Sequence, residues 1–234
     1  MELIDLKQNA KYHIFKNIFK SVSEDDINDL LRISTIKKYQ KNEIILNKNI
    51  DENALYILME GIIKIGYLNP NGRLHTFLYF SDKKPINLVN CFISQGVEYD
   101  YYAFNQVSII SIPKQQFLEK VENNEGFKNA CFEIMSLRMK YMSYQIKFLN
   151  VANLHQKICK TLIDLNSNYG IKHAIGSEIL LKLSQNDFAD LISSSRQTIN
   201  KEIKNLVNLN VIQWQYESII IRDLDYLKKQ IEWI

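Results

Sequence analysis

The spacing of apolar residues changes along the chain, and each change predicts a different kind of element. Residues 1–35 read as helical and partly amphipathic. Ser23-Glu24-Asp25-Asp26 has the form of a helix start, a hydroxyl cap followed by acids in the first turn, and Ile27, Leu30 and Leu31 supply an apolar stripe. From about 36 to 112 the runs shorten: Glu43–Leu46, Ala54–Met59, Ile62–Leu68, His75–Phe80, Ile86–Phe92, Tyr99–Phe104 and Val107–Ile112. Turn residues such as Asn69-Pro70-Asn71-Gly72 separate them, and Pro113 closes the last. Short, regularly spaced runs of this kind predict an antiparallel sandwich or barrel.

A helical period returns over 126–151. Phe127, Ile134, Tyr141 and Phe148 recur every seven residues, and Ala130, Leu137, Tyr144 and Val151 follow the same period offset by three. A strict repeat of this length predicts the seam of a parallel dimer, with Phe127, Ala130, Ile134, Leu137, Tyr141, Tyr144 and Phe148 at the interface. A helix packed on its own β domain is the alternative, and the aromatics at these positions, unusual for a two-stranded coil, leave room for one flank to pack there. Asn150 and Asn153 mark a hinge, a helix follows over 154–166, and short strands are expected at Ile171–Ala174 and Ile179–Leu183.

The next stretch carries the chemistry. Ser184 stands as a cap with Asp187 three residues on, and Phe188, Leu191 and Ile192 give a short helix its apolar face. Ala189 is small where a second helix must cross closely, Ser193-Ser194 interrupts the pattern, and Ser195 caps the second helix. There Ile199, Ile203, Leu206 and Val207 share one arc, while Arg196, Gln197, Asn200, Lys201 and Lys204 occupy another. A helix with an apolar back and this polar front suits a DNA major groove: arginine pairs with guanine, glutamine and asparagine with adenine, and lysine with phosphate or guanine. Val211–Ile221 then reads as a hairpin wing, two β-rich runs around a polar turn.

Ser195-Arg196-Gln197-Thr198-Ile199-Asn200-Lys201, continued by Leu206 and Val211-Ile212, closely resembles the DNA-binding domain of the cyclic-AMP receptor protein / fumarate-nitrate regulator (Crp/Fnr) superfamily. The resemblance extends over most of the chain. It implies an α+β protein: a cyclic-nucleotide-binding-like sensor β-roll (jelly roll) at 1–125, a dimerisation helix and hinge at 126–152, and a winged helix-turn-helix at 153–234. The implied activity is dimeric, sequence-specific transcription regulation in a bacterial cytoplasm. The DNA-binding set is Ser184, Ser195, Arg196, Gln197, Thr198, Asn200, Lys201 and Lys204, with Arg196, Gln197 and Lys201 as principal base readers. The partners implied are double-stranded DNA with a two-fold symmetric operator, a second copy of the chain, RNA polymerase and a small-molecule effector. A signal in the roll would shift the long helix or the hinge and so reset the spacing of the two recognition helices. Ser193 stands where a turn glycine is common, Asn49 takes another glycine position, and Gln197 replaces the glutamate of the best-known members.

The superfamily's cyclic-nucleotide site uses a Gly-Glu pair on the ribose and an Arg-Ser pair on the phosphate. Those positions fall here on Asn87-Leu88 and near Val97-Glu98, and no arginine lies between Arg73 and Arg138. Cyclic AMP is therefore not expected to bind in the usual way. An iron–sulfur sensor would need N-terminal cysteines, and residues 1–90 have none. Haem ligation by a cysteine or histidine stays open, as does a pocket lined by Tyr99, Tyr101, Tyr102 and Phe104, although these rings also fit a sandwich core.

Composition adds little. With 29 Lys and Arg against 26 Asp and Glu, the net charge of +3 permits a nucleic-acid partner without arguing for one. No apolar run reaches the length of a membrane span. The cysteines Cys91, Cys131 and Cys159 are odd in number and far apart, which fits reduced thiols rather than a disulfide framework. No cofactor or metal motif, glycine-rich phosphate loop or nucleophile–base pair is visible, so an enzyme is not expected. A regulatory subunit acting through protein contacts is the alternative to a DNA-binding regulator, but such a helix would not require the Arg-Gln-Asn-Lys front.

Overall fold

The computed structural model describes residues 2–70, 74–93, 95–216 and 218–232, with side chains from Gln8 onward. Gly72 and Glu217, two of the expected turn residues, lie outside the described residues. The chain divides into two compact units, residues 1–74 with 78–141, and residues 75–77 with 142–234.

The first unit opens with α1 (Glu2–Ile18) and α2 (Glu24–Ile33). Ser23 caps α2 by accepting the Asp26 N–H at 3.2 Å, as its sequence predicts. Seven strands follow: β1 (Thr35–Tyr39), β2 (Ile44–Leu46), β3 (Ala54–Glu60), β4 (Ile63–Leu68), β5 (Leu74–Phe80), β6 (Asp100–Ala103) and β7 (Val107–Pro113). They form two antiparallel sheets, ordered β1-β7-β3 and β2-β6-β4-β5. In β3 and β7 all but the last residue is buried, which is why they read as dense apolar runs rather than as alternation, β7 being interrupted only by the buried Ser108 and Ser111. Gly61 joins β3 to β4 at φ +93°, and a Cβ there would lie 2.3 Å from the Gln106 carbonyl oxygen, so this turn requires glycine. Asn49 adopts φ 63°, the left-handed conformation that a glycine position demands.

One expected strand is a helix. Residues 86–92 were to continue the sandwich, but Leu88–Ile93 forms α3, with Leu88 and Cys91 buried three apart and Val89, Phe92 and Ile93 exposed. Asn87 sets this up: its side chain accepts the Tyr56 N–H and donates to the Ala54 carbonyl, both at 2.9 Å. After β7 come α4 (Lys114–Asn123) and α5 (Glu125–Val151). Phe15 of α1, Phe19 just after it, Ile27 and Leu30 of α2, and Phe117 of α4 meet Leu55, Ile57, Ile110 and Ile112 of the sheet in one core. Phe19 stands edge-on to Phe127 of α5 at 5.0 Å. Each such ring contributes about 1.5–3 kcal/mol on burial.

The second unit contains α6 (Leu154–Tyr169), β8 (Gly170–His173), β9 (Gly176–Ile179), α7 (Gln185–Ile192), α8 (Arg196–Asn208), β10 (Ile212–Gln215), β11 (Ser218–Ile221) and α9 (Leu224–Lys229). Its sheet runs β10-β11-β9-β8. Leu162, Phe188, Ile199, Leu206, Ile219 and Leu227 are fully buried and mark its core.

All three cysteines are buried. Burial pushes the Cys91 thiol from 9.0 to about 11, and Cys131 and Cys159 to about 12. Below pH 9.0 the thiols are protonated in both folded and unfolded chains and make no difference. Above it the unfolded chain releases protons that the folded chain keeps, so stability should fall as pH rises through 9 to 12. Thermal unfolding of a Cys131→Ala/Cys159→Ala variant should show a shallower decline between pH 9 and 11 than the parent; an equal slope would refute this assignment.

Candidate nucleic-acid interface

Two helix caps build the site. Ser184 accepts the Asp187 N–H at 3.2 Å while Asp187 accepts the Ser184 N–H at 3.0 Å, closing a capping box at the start of α7. Ser195 accepts the Thr198 N–H at 3.1 Å and its hydroxyl lies 2.7 Å from that of Thr198, fixing the first turn of α8. Between them Ser193 turns the chain at φ 53°, ψ 45°, and its N–H bonds back to the carbonyls of Ala189 and Asp190. Ala189 is 3% exposed, and α7 packs against α8.

The front and back of α8 separate except at Val207, which helical spacing places on the apolar arc but which is 39% exposed near the end of the helix. Ile199, Ile203 and Leu206 are buried. Arg196, Gln197, Thr198, Lys201 and Lys204 are exposed, with Ser195 beside them, and Asn200 is half-buried at the edge of the row. These residues form one contiguous polar face, and Ser184 lies half-buried at the head of α7. The spare hydrogen-bonding groups of the front point away from the core, where desolvation by a partner can be matched by donors and acceptors.

The hairpin β10–β11 pairs Gln215 with Ser218, and Tyr216 follows Gln215 into the turn. Trp214 meets Phe188 of α7 edge-on at 5.0 Å, pinning the wing to the helices. Its indole N–H donates to the Tyr216 carbonyl at 3.1 Å. Tyr216 is 93% exposed at φ 56°, a wing-tip ring whose only signal along the chain is a polar turn.

The heptad residues divide. Phe127 and Ala130 belong to the core of the first unit, Ile134 packs against it, and Phe148 is buried as well. Phe127, Ala130 and Phe148 are turned into the protomer rather than toward a second chain, which corrects those three positions of the expected dimer seam, whereas Ile134 keeps part of its surface. Leu137, Tyr141 and Tyr144 remain exposed. A second stripe went unread: Phe132, Met139 and Ile146 are exposed seven apart, and Met142 and Leu149 continue an offset row that starts at Met135. Its signal was present in the same repeat, on another face of the same helix.

The positions that align with a cyclic-nucleotide site serve the fold. Asn87 and Leu88 are buried, Val97 is 2% exposed and Glu98 faces solvent. Arg138 of α5 is mostly enclosed and donates to the Pro85 carbonyl. Phe104 packs edge-on against Tyr79 at 5.2 Å, Tyr101 and Tyr102 are half-buried, and Tyr99 is exposed.

Comparison with known proteins fits this geometry. Residues 156–230 match the Crp-like helix-turn-helix domain, and residues 36–124 match the cyclic nucleotide-binding domain. The chain belongs to the Crp/Fnr superfamily of transcription regulators. It is 24% identical over 211 residues to the anaerobic regulatory protein of Bacillus subtilis, covering 88% of each chain. It is 18% identical over 213 residues to the CRP-like cAMP-activated global transcriptional regulator of Mycobacterium tuberculosis, covering 91% of this chain and 95% of the other. Its fold is similar to FixK2 from Bradyrhizobium japonicum, with a TM-score of 0.71, 12% identity, and coverage of 85% of this chain and 97% of the other. This Crp/Fnr protein therefore has the superfamily's order of sensor-type roll, long helix and winged helix-turn-helix. Among the described residues no helix is long and apolar enough to cross a membrane.

Ser193 is an exposed L-residue in a left-handed turn. That conformation costs roughly 1–2 kcal/mol without glycine, partly offset by the extra freedom glycine brings to the unfolded chain. Ser193→Gly should raise unfolding stability by roughly 0.5–1 kcal/mol in urea titration; equal or lower stability would show that the turn is unstrained.

Proposed function

We propose that this regulator acts as a homodimer that places α8 of each protomer in successive major grooves of a two-fold symmetric operator, about 34 Å apart. The observation that carries this is the exposed row Arg196, Gln197, Lys201 and Lys204 over the buried back Ile199, Ile203 and Leu206. Arg196 fits guanine as a bidentate donor, Gln197 fits adenine, and Lys201 and Lys204 supply charge toward bases and phosphates. Ser184, Ser195, Thr198 and Asn200 contribute contacts at the rim. Gln197 reads differently from glutamate, which accepts from cytosine, so the operator differs from that of members with glutamate there. RNA polymerase is the protein partner proposed at the promoter.

The dimer seam we propose is the stripe Phe132, Met139, Met142, Ile146 and Leu149, because these side chains are exposed and in heptad register. Five large apolar side chains on one helix face are the kind of surface that a second copy covers. A signal received in the first unit would act on the long helix or the junction near Asn153. The sensing chemistry differs from cyclic-AMP recognition: Asn87 and Leu88 are committed to the core and Glu98 would oppose a phosphate.

Gel shift against genomic fragments tests the DNA reading. Arg196→Ala should lose specific shifts, a fall of about tenfold or more, while sedimenting as a dimer. Met139→Glu/Ile146→Glu should sediment as a monomer and lose the shift as well. Unchanged shifts in the first variant, or a dimer in the second, would overturn the corresponding assignment. Titration calorimetry with cyclic AMP should give no saturable heat, and micromolar binding would overturn the sensor reading.

A further inference from the structure

The back of α8 carries one charged residue that the DNA face does not use. Glu202 lies roughly opposite the reading row on the helix circumference, at ~100° per residue. Its Oε2 is 3.2 Å from Nδ1 of His155, which sits in the first turn of α6. The other ring nitrogen of His155, Nε2, lies 3.6 Å from Sγ of Cys159, one turn further along α6. Glu202 and His155 are each about a quarter exposed, at 25% and 29%, and Cys159 is fully buried.

These three groups fit together in one way when the imidazole is neutral. The buried Cys159 is held as a thiol by its apolar surroundings, and next by the carboxylate of Glu202 nearby. Its S–H is therefore available to donate to Nε2. That leaves the ring proton on Nδ1, where it donates to Glu202. Burial of Ile199, Ile203 and Leu206 gives α8 adhesion, but apolar contact has little directionality. A rotation of roughly 20° about the helix axis moves a side-chain tip at a radius of ~6 Å by roughly 2 Å, enough to break a base contact. A directional bond on the opposite side resists that rotation.

We infer that His155 and Glu202 are positioning residues for DNA readout: they clamp α8 to the first turn of α6, with Cys159 selecting the imidazole tautomer that makes the clamp. Neither touches DNA; they act through the orientation of Arg196, Gln197 and Lys201. The inference rests on the DNA-binding reading above and adds to it a rotational lock on the recognition helix.

The test uses the full-length dimer and two probes: a duplex selected from a random pool by the unsubstituted protein, and a scrambled duplex of the same length. Anisotropy titrations compare the parent with His155→Ala, Glu202→Gln and the double variant. Each single change should weaken the selected duplex roughly five- to tenfold and leave the scrambled duplex within about twofold. The double variant should be no weaker than the singles, since both remove one coupled contact. His155→Gln, which keeps a side-chain N–H donor, should recover most of the loss. Nitrogen-15 NMR of the unsubstituted protein, which requires no variant to fold, should show the His155 ring as the Nδ1–H tautomer, changing in Cys159→Ala. Single effects that multiply, a parallel loss on the scrambled duplex, or an Nε2–H ring in the parent would each overturn the clamp while the DNA reading stands. If selection with the parent yields no preferred duplex, the DNA reading itself fails and takes the positioning role with it.

Discussion

Ile199, Ile203 and Leu206 are buried where α8 packs on α7 and β10, and that contact fixes which way the helix faces. Once three apolar side chains on one arc are withdrawn from water, Arg196, Gln197, Lys201 and Lys204 have no choice but the opposite arc. The rest of the second unit serves this division. The caps at Ser184 and Ser195 decide where the two helices start, Ala189 lets them approach, and the Trp214–Phe188 contact keeps the wing alongside. A helix whose back were less apolar could roll, and its polar side chains would then present an average of several faces rather than one.

Much of this was legible in the chain. The cap residues, the apolar arc and the polar arc of α8 follow from side-chain chemistry at helical spacing, which local structure alone determines. The roll was legible for the opposite reason: its central strands β3 and β7 are buried on both faces and so appear as dense apolar runs. What escaped were elements whose identity depends on neighbours. Strand β1, Thr-Ile-Lys-Lys-Tyr, is a polar edge strand defined by its pairing with β7 rather than by its own pattern. The run around Leu88 was apolar enough for a strand, yet Asn87 bonded to the backbone of β3 starts a helix there instead. The six-residue α9 was too short to show a period.

The long helix illustrates a more general ambiguity. A 27-residue helix has room for several apolar stripes, and α5 uses more than one. Phe127, Ala130 and Ile134 repeat at heptad spacing because the helix lies along its own domain. Phe132, Met139 and Ile146 repeat at the same spacing on another side, where they are largely exposed. Period identifies a stripe but not its owner; only burial distinguishes a side chain already satisfied from one still facing water.

The junction between α5 and α6 has its own consequence. Asn150 donates its side-chain amide to the Ile146 carbonyl at 2.8 Å, tidying the end of α5. Asn153 and Gln156 exchange side-chain-to-backbone bonds at 3.0 Å, so α6 begins with its first donors already paired. Each helix thus closes its own ends. A change of backbone torsion at Ala152 would leave these bonds intact, since each lies within one helix end.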